Sequence, residues 1–447
     1  MHNIAINANN NDLCSSCGVC AGICPSDSLV MQVDNHGDLK PISYNDTCIN
    51  NCHICIDICP FTDRVFNPRK MNRTLYNDIP DARYHKNIGR YSNSYVGFRK
   101  NKALRLQSAS GGLLTWCLEA LIESKRVTSI CTVHFSPKQG KGYFEYFTTS
   151  SIDEIRNAAG SVYHPVDISQ IIKQIQASAD NQTWAIVGVP CVCAAIRNCS
   201  SLRKKIPYVF GLACGMYQNT FYTELLLKKS GVDRENVLSI EYRRPAKNTN
   251  ASNFRFQGTD RFSQGREIPY HGLPIFLGKN AFFRLNACNF CMDVFAETAD
   301  ACFMDAWLPE YITDCDGTSL VVTRNNDIDD LFIEGQSTGA IHINVVSPEK
   351  VVDSQHSHIR RKQELIFWRQ SDYNPEKPNT RTHEKINWWI QKRSQRRSKV
   401  AWTKYGRKYG LFFFWIVMVD VILLNWLVHI INKQRRISRK IRDYISK

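Results

Sequence analysis

Apolar positions recur at helical spacing over LLTWCLEALIESK (113–125), and the run VTSICTVHF (127–135) that follows has the length and composition of a strand. IDEIRNAAG (152–160) and ISQIIKQIQASA (168–179) again read as helices. TWAIVGVP (183–190) and IPYVFGLAC (206–214) are short continuous apolar runs, the pattern of strands buried on both faces, with CAAIRN between them as a helical crossover. Strand and helix alternate in this way from residue 96 to 345, which predicts a mixed α/β domain. Residues 63–95 are polar and interrupted by Pro68 and Pro80, and read as a linker wrapping that domain. Residues 346–447 read as a helical tail, and LFFFWIVMVDVILLNWLVHII (411–431) is apolar there except for Asp420, Asn425 and His429.

Charge separates this tail from the rest. The chain of 447 residues carries a formal net charge of +16, and residues 360–447 hold 22 Lys and Arg against 6 Asp and Glu, so residues 1–359 are neutral. Basicity therefore argues for an anionic surface at the tail only, and no nucleic-acid motif accompanies it. The 21 residues of 411–431 are long enough to span a bilayer, yet basic residues flank both ends, so the positive-inside rule sets no orientation. That pattern predicts that residues 385–447 hold the protein at the cytoplasmic face of an anionic membrane, with segment 411–431 lying in the leaflet or spanning it. A helix buried in a soluble protein is the competing reading. A hydrophobic fraction of 43% with 22% charged residues excludes a disordered or collagen-like chain.

All 18 cysteines lie before residue 316. The opening residues, MHNIAINANNNDL, contain no secretory h-region, so a cytoplasmic location is expected, where dense cysteine signals metal rather than disulfides. CSSCGVCAGICP places Cys14, Cys17, Cys20 and Cys24 in C-x2-C-x2-C-x3-C-P spacing, and CINNCHICIDICP places Cys48, Cys52, Cys55 and Cys59 with one extra residue in the first gap. A tight loop delivers three thiolates to a 4Fe-4S cube and the fourth comes from the other run. Cys14, Cys17 and Cys20 are thus expected to share a cluster with Cys59, and Cys48, Cys52 and Cys55 with Cys24. This predicts an α+β, ferredoxin-like two-cluster module over residues 1–62. Zinc sites use paired C-x2-C units instead of runs of four, and His53 reads as a loop residue. Further on, Cys191 and Cys214 end two apolar runs and ACNFCMD supplies Cys288 and Cys291; these four close a third cluster, or are simply buried thiols. Cys117, Cys131, Cys193, Cys199, Cys302 and Cys315 have no partner at ligand spacing. LQSASGGLLTWC (106–117) sets Ser108, Ser110, Gly111 and Gly112 before a helix, either a phosphate-approaching loop or an ordinary capped turn. Neither a GxGxxG nor a P-loop is present.

In order along the chain, the paired cysteine runs, QSASGG, AAGSVYHP, VGVPC, GLACG, CNFCMDVFAETAD and DAW…DGTSLVVTR resemble the beta subunits of the coenzyme-deazaflavin hydrogenase/dehydrogenase family, over residues 10–335. The pattern is most like bacterial members found with cell-surface polysaccharide biosynthesis. The resemblance implies an iron–sulfur flavoprotein oxidoreductase in which FAD exchanges electrons with an adjacent 4Fe-4S cluster held by Cys191, Cys214, Cys288 and Cys291, and a redox partner protein beyond the N-terminal clusters. It also implies flavin contacts at Ser108, Ser110, Gly111, Gly112, Ser161, Tyr163 and Asp305. Two positions depart from the family: its lysine is Val162 here and its glycine before Asp305 is Met304. Those losses favour a second reading, an electron relay or scaffold without a substrate site. His164 lies beside the flavin segment, with a structural role expected and no catalytic base assigned.

Overall fold

The computed structural model describes residues 3–6, 12–44, 47–63, 65–79, 82–138, 142–245, 250–262, 264–366, 382–428, 430 and 434. A hairpin of β1 (Leu29–Val33) and β2 (Leu39–Ser43) separates the two cysteine runs, and a smaller one of β3 (Arg83–His85) and β4 (Gly89–Tyr91) precedes the main sheet. The remaining strands are β5 (Ser94–Arg99), β6 (Ser129–Lys138), β7 (Gly142–Thr149), β8 (Trp184–Gly188), β9 (Tyr208–Leu212), β10 (Val237–Pro245), β11 (Phe254–Asp260), β12 (Ile268–Pro269), β13 (Ala301–Asp305), β14 (Ser319–Thr323) and β15 (Ile341–Val345). Eight of them form one mixed sheet in the order β15-β5-β14-β13-β9-β8-β6-β7. β13, β9, β8 and β6 are parallel neighbours, and the outer pairs are antiparallel. β10, β11 and β12 make a separate three-stranded sheet.

Burial on both faces explains the continuous apolar runs. Along β8, Trp184 and Ile186 pack with Ile168, Ile172 and Val19, while Ala185 and Val187 pack on the other side with Leu118, Leu121 and Phe332. The expected helices are present at Leu113–Glu123, Ile152–Asn157, Ser169–Ala177 and Pro190–Asn198. The expected strands are the cores of β6, β8 and β9.

Two segments carry more structure than their composition suggests. Residues 63–95, read as a linker, contain a helix at Arg69–Leu75 and the β3–β4 hairpin. Asn72, fully buried, donates to the Glu297 carbonyl at 2.7 Å and fixes this wrap to the α/β body. The N-terminal module also shares the body's core: Val19 and Ala21 belong to the same buried cluster as Ile168, Ile186 and Val209. A Cβ on Gly22 would lie 2.6 Å from Ile172 Cβ, so this helix sits directly on the helix at 169–177.

The tail differs most from expectation. Among the described residues no single helix is long and apolar enough to cross a membrane; Leu411–Val417 and Val419–Val428 are two helices bent by 59°. The polar residues that interrupt the apolar run explain its placement. Asp420 pairs with Arg393 at 2.6 Å and Arg397 at 2.9 Å on the helix Thr382–Ala401, and Asn425 donates to Ser394 Oγ at 3.3 Å. Trp402, Phe414, Met418 and Val421 then enter the core of the three-stranded sheet beside Phe221 and Phe283. Trp402 Nε1 donates to Glu224 at 2.8 Å, Arg407 pairs with the same carboxylate, and Lys399 forms a buried ion pair with Asp38 after β1. The competing reading of a buried helix is therefore correct for one face of 411–428. His429, residues 431–433 and the basic cluster from 435 onward lie outside the described residues. Replacing Trp402 by Ala should cost about 3–5 kcal/mol in chemical denaturation, whereas Phe412→Ala, at an exposed site, should stay within about 0.5 kcal/mol. Equal effects of the two would mean that the tail does not pack on the body.

Candidate functional site

Left-handed backbone turns the first two cysteine loops inward. Ser16 (φ 63°) and Gly18 (φ 82°) bend the first run, and Asn51 (φ 61°) bends the second after its extra residue. Gly18 also admits Asp167, whose Oδ1 would lie 2.1 Å from any Cβ there. The result is a cavity of about 140 Å³ lined by Cys14, Cys17, Cys20 and Cys59 together with Leu13, Ile58 and Phe61. The four thiols of the first expected set thus face one enclosed space. Cys24, Cys48 and Cys52 all lie within Coulombic reach of Cys55, which brings the second set together at the outer side of the module. Its Cys24 is the most polar member: burial is outweighed by hydrogen bonds with Ser28 (3.3 Å) and Ser26 (3.6 Å), and its pKa falls below the ordinary thiol value.

The third set forms where the parallel strands end. Cys191 opens the helix after β8, Cys214 follows β9, and Cys288 and Cys291 come from a short turn at Asn286–Phe290. Cys214, Cys288 and Cys291 all act electrostatically on Cys191. Cys17 of the first set acts on Cys191 too, and Cys55 of the second acts on Cys20 and Cys59 of the first. By these electrostatic neighbours the sets lie in the order second, first, third. Desolvation pushes these thiols up, Cys59 to about 12 and Cys214 and Cys291 to about 11, the last two against the opposing charge of Lys362. A cation bound among such thiols would release their protons. Among the described residues no three His, Cys, Asp or Glu side chains close on a single metal ion. A buried four-thiol set around a shared space has the donor chemistry of an iron–sulfur cluster. Backbone N–H groups already point at sulfur, from Tyr217 to Cys288 (3.2 Å) and from Ser16 to Cys14 (3.3 Å).

A crevice of about 50 Å³ opens at the carboxyl end of β13, lined by Ser108, Ser110, Arg243, Phe254, Asp305 and Trp307 among others. Of the expected flavin contacts, Ser108, Ser110 and Asp305 line it. Neither serine caps the following helix: Ser108 Oγ donates to Leu104 O and Ser110 Oγ to Thr318 O. Gly111 is wedged behind the wall, where a Cβ would meet Gly97 O and Ser319 N at 2.7 Å, and Gly112 (φ 79°) turns the chain into the helix. Tyr163 packs edge-on against Tyr242, and burial raises its phenol pKa, with Arg243 and Asp305 nearby and Ser161 hydrogen-bonded to it. His164 is buried, bonded to Thr223 (3.0 Å) and Tyr242 (3.1 Å), and desolvation lowers it to about 4, which fits a structural histidine.

Sequence reasoning missed Arg243. Its guanidinium clamps Asp305 with two bonds, 2.8 and 2.7 Å, lies 4.7 Å from the Phe254 ring centre, and leaves Nε buried without a partner. Lys362 and Arg361 were also missed, because they sit inside a basic stretch with no local mark of burial.

Residues 94–173 match the N-terminal part, and residues 181–349 the C-terminal part, of the coenzyme F420 hydrogenase/dehydrogenase beta subunit. No curated protein matches the chain. A chain from the F420-reducing NiFe hydrogenase complex of Methanosarcina barkeri, solved with xenon derivatisation, is similar in fold: 15% identity, TM-score 0.50, covering 66% of this chain and 98% of that one. With both parts matched in sequence over more than half of its length, the chain belongs to the coenzyme F420 hydrogenase/dehydrogenase beta-subunit family.

Proposed function

We propose that this chain is an iron–sulfur, electron-transferring oxidoreductase subunit that passes electrons between a flavin at the Arg243 crevice and 4Fe-4S clusters in three thiol sets. The observation that carries this reading is the electrostatic proximity of the second set to the first and of the first to the third. Cys191 and Cys214 hold the third set next to the first through Cys17, and Tyr270 lies within reach of both Arg243 and Arg361, linking crevice to third set. A flavin supplies two-electron chemistry and delivers electrons singly to a cluster. Arg243, with an unpartnered Nε in an aromatic wall, is the group that would meet its anionic or polar edge. Ser108 and Ser110 offer hydroxyls at the rim, and Tyr163 shields the Arg243–Asp305 pair. The second set, with exposed Ile49 and Ile54 beside it, is the exit to a redox partner protein.

The crevice encloses too little volume for a whole dinucleotide, which would extend beyond it. That smallness, with Val162 and Met304, favours the second reading, a relay that keeps the clusters without a substrate; service to polysaccharide biosynthesis rests on motif pattern alone.

The tail adds a surface. While Phe414, Met418 and Val421 are buried, Phe412, Ile416, Val419, Leu423 and Trp426 form an exposed stripe at helical spacing. With basic residues flanking the segment in the sequence, this is the chemistry of an apolar, bent helix pair lying on an anionic leaflet.

Three outcomes follow. Cys20→Ser and Cys214→Ser should each remove about four irons per chain from anaerobically purified protein, and the double variant about eight. Iron content that is unchanged by Cys214→Ser removes the third cluster. Denaturing the full chain should release about one flavin per chain; a brown protein without flavin selects the relay. Full-length protein should pellet with phosphatidylglycerol vesicles and not with phosphatidylcholine vesicles, and Ile416→Asp combined with Leu423→Asp should abolish pelleting; binding that survives this change contradicts the membrane reading.

A further inference from the structure

Beyond residue 349, where the family match ends, the chain does not leave the site. It runs as a strap from Pro348 to Glu364 across the space between the crevice and the third thiol set. Gln355 donates to the Asp305 carbonyl at 3.1 Å at the crevice end. A helical turn at His356–Ile359 passes into a π turn at Arg360–Glu364, a geometry that often marks functional positions. His358 lies over Gly215, where a Cβ would come within 2.5 Å of the imidazole, so only glycine next to Cys214 lets this ring approach. Gln363 fastens the far end through Asn87 and the Met292 carbonyl.

Lys362 is the centre of the strap. It is 2% exposed, and its ammonium donates to the Cys214 carbonyl at 3.1 Å and to the Asp293 carbonyl. Cys214, Cys288 and Cys291 are all within Coulombic reach of it, as is the carboxylate of Asp293. Arg361 is directed towards Cys214 and Cys288 from the same turn and leaves one guanidinium nitrogen unpartnered. Burying an ammonium is expensive unless opposite charge sits beside it. Two carbonyls satisfy only part of its hydrogen bonding; the Asp293 carboxylate beside it, and thiolates once a cluster is bound, would supply the opposite charge.

We propose that Lys362 is a positioning residue for redox chemistry: its buried positive charge sets the reduction potential of the cluster held by Cys191, Cys214, Cys288 and Cys291. This rests on the third cluster of the proposed function. Reducing a cluster adds one negative charge, and a fixed cation nearby stabilises that reduced form, so the cation raises the potential. The strap thus makes the third cluster the better electron acceptor next to the crevice, and electrons entering there are drawn to it before they move to the first set.

The test is an anaerobic redox titration of the full chain followed by electron paramagnetic resonance, comparing wild type with Lys362→Gln, Lys362→Met and Lys362→Arg. The separate anchors at Gln355 and Gln363 hold the strap in the variants. Lys362→Gln keeps a hydrogen-bond donor and removes the charge. It should shift one cluster to lower potential by at least tenfold in its oxidised-to-reduced ratio, about 59 mV for a one-electron couple. The other two clusters should hold their values, Lys362→Met should match Lys362→Gln, and Lys362→Arg should restore the wild-type value. Full iron content with all potentials unchanged in Lys362→Gln overturns the proposal. Loss of about four irons in both neutral variants overturns it as well, because the lysine is then an anchor only. If wild type contains only about eight irons and Cys214→Ser removes none, it is the third cluster, not the role of Lys362, that has failed.

Discussion

The structure is organised around the cost of collecting thiols where water is excluded. Cys191 and Cys214 are placed by the ends of parallel strands β8 and β9, and the sheet supplies the low-dielectric surroundings that hold their protons. The N-terminal module is pressed against the same face, its helix at 19–22 on the helix at 169–177, so Cys17 arrives beside Cys191. Everything else serves that collection. Phe66 in the wrap bridges to Cys291, and the strap brings the Lys362 ammonium to the Cys214 carbonyl at 3.1 Å.

Legibility in the sequence followed the range of the interaction. The first cysteine grouping could be read because a C-x2-C-x2-C loop is local, and Cys14, Cys17 and Cys20 line one cavity with Cys59. β6, β8 and β9 could be read because burial on both faces leaves continuous apolar runs. Arg243 and Lys362 could not, since their partners Asp305 and Cys214 lie 62 and 148 residues away and nothing near them in sequence marks burial. Of the residues singled out around QSASGG and Asp305, Ser108, Ser110 and Asp305 line the crevice, whereas Gly111 serves the close approach to β5 and β14 behind it.

The tail shows how a hydropathy pattern misleads when a charge has a distant partner. Asp420 counts against a span if it stands alone, but here it joins two helices through Arg393 and Arg397. That hairpin divides one apolar segment into a buried face and an exposed face, and nothing in composition separates Phe414 from Phe412. The tail is also structural for the redox module, since Lys399 reaches Asp38 next to the β1–β2 hairpin. Tail and N-terminal module are in this way mechanically joined.

The central claim is that three clusters lie in electron contact within one chain. The most direct measurement is the electron paramagnetic resonance spectrum of the fully reduced protein at increasing microwave power and decreasing temperature. Neighbouring reduced clusters split and broaden one another's signals, so the account predicts an interaction spectrum that simplifies when Cys214→Ser removes the third member. A fully reduced spectrum equal to the sum of isolated, non-interacting clusters would contradict it.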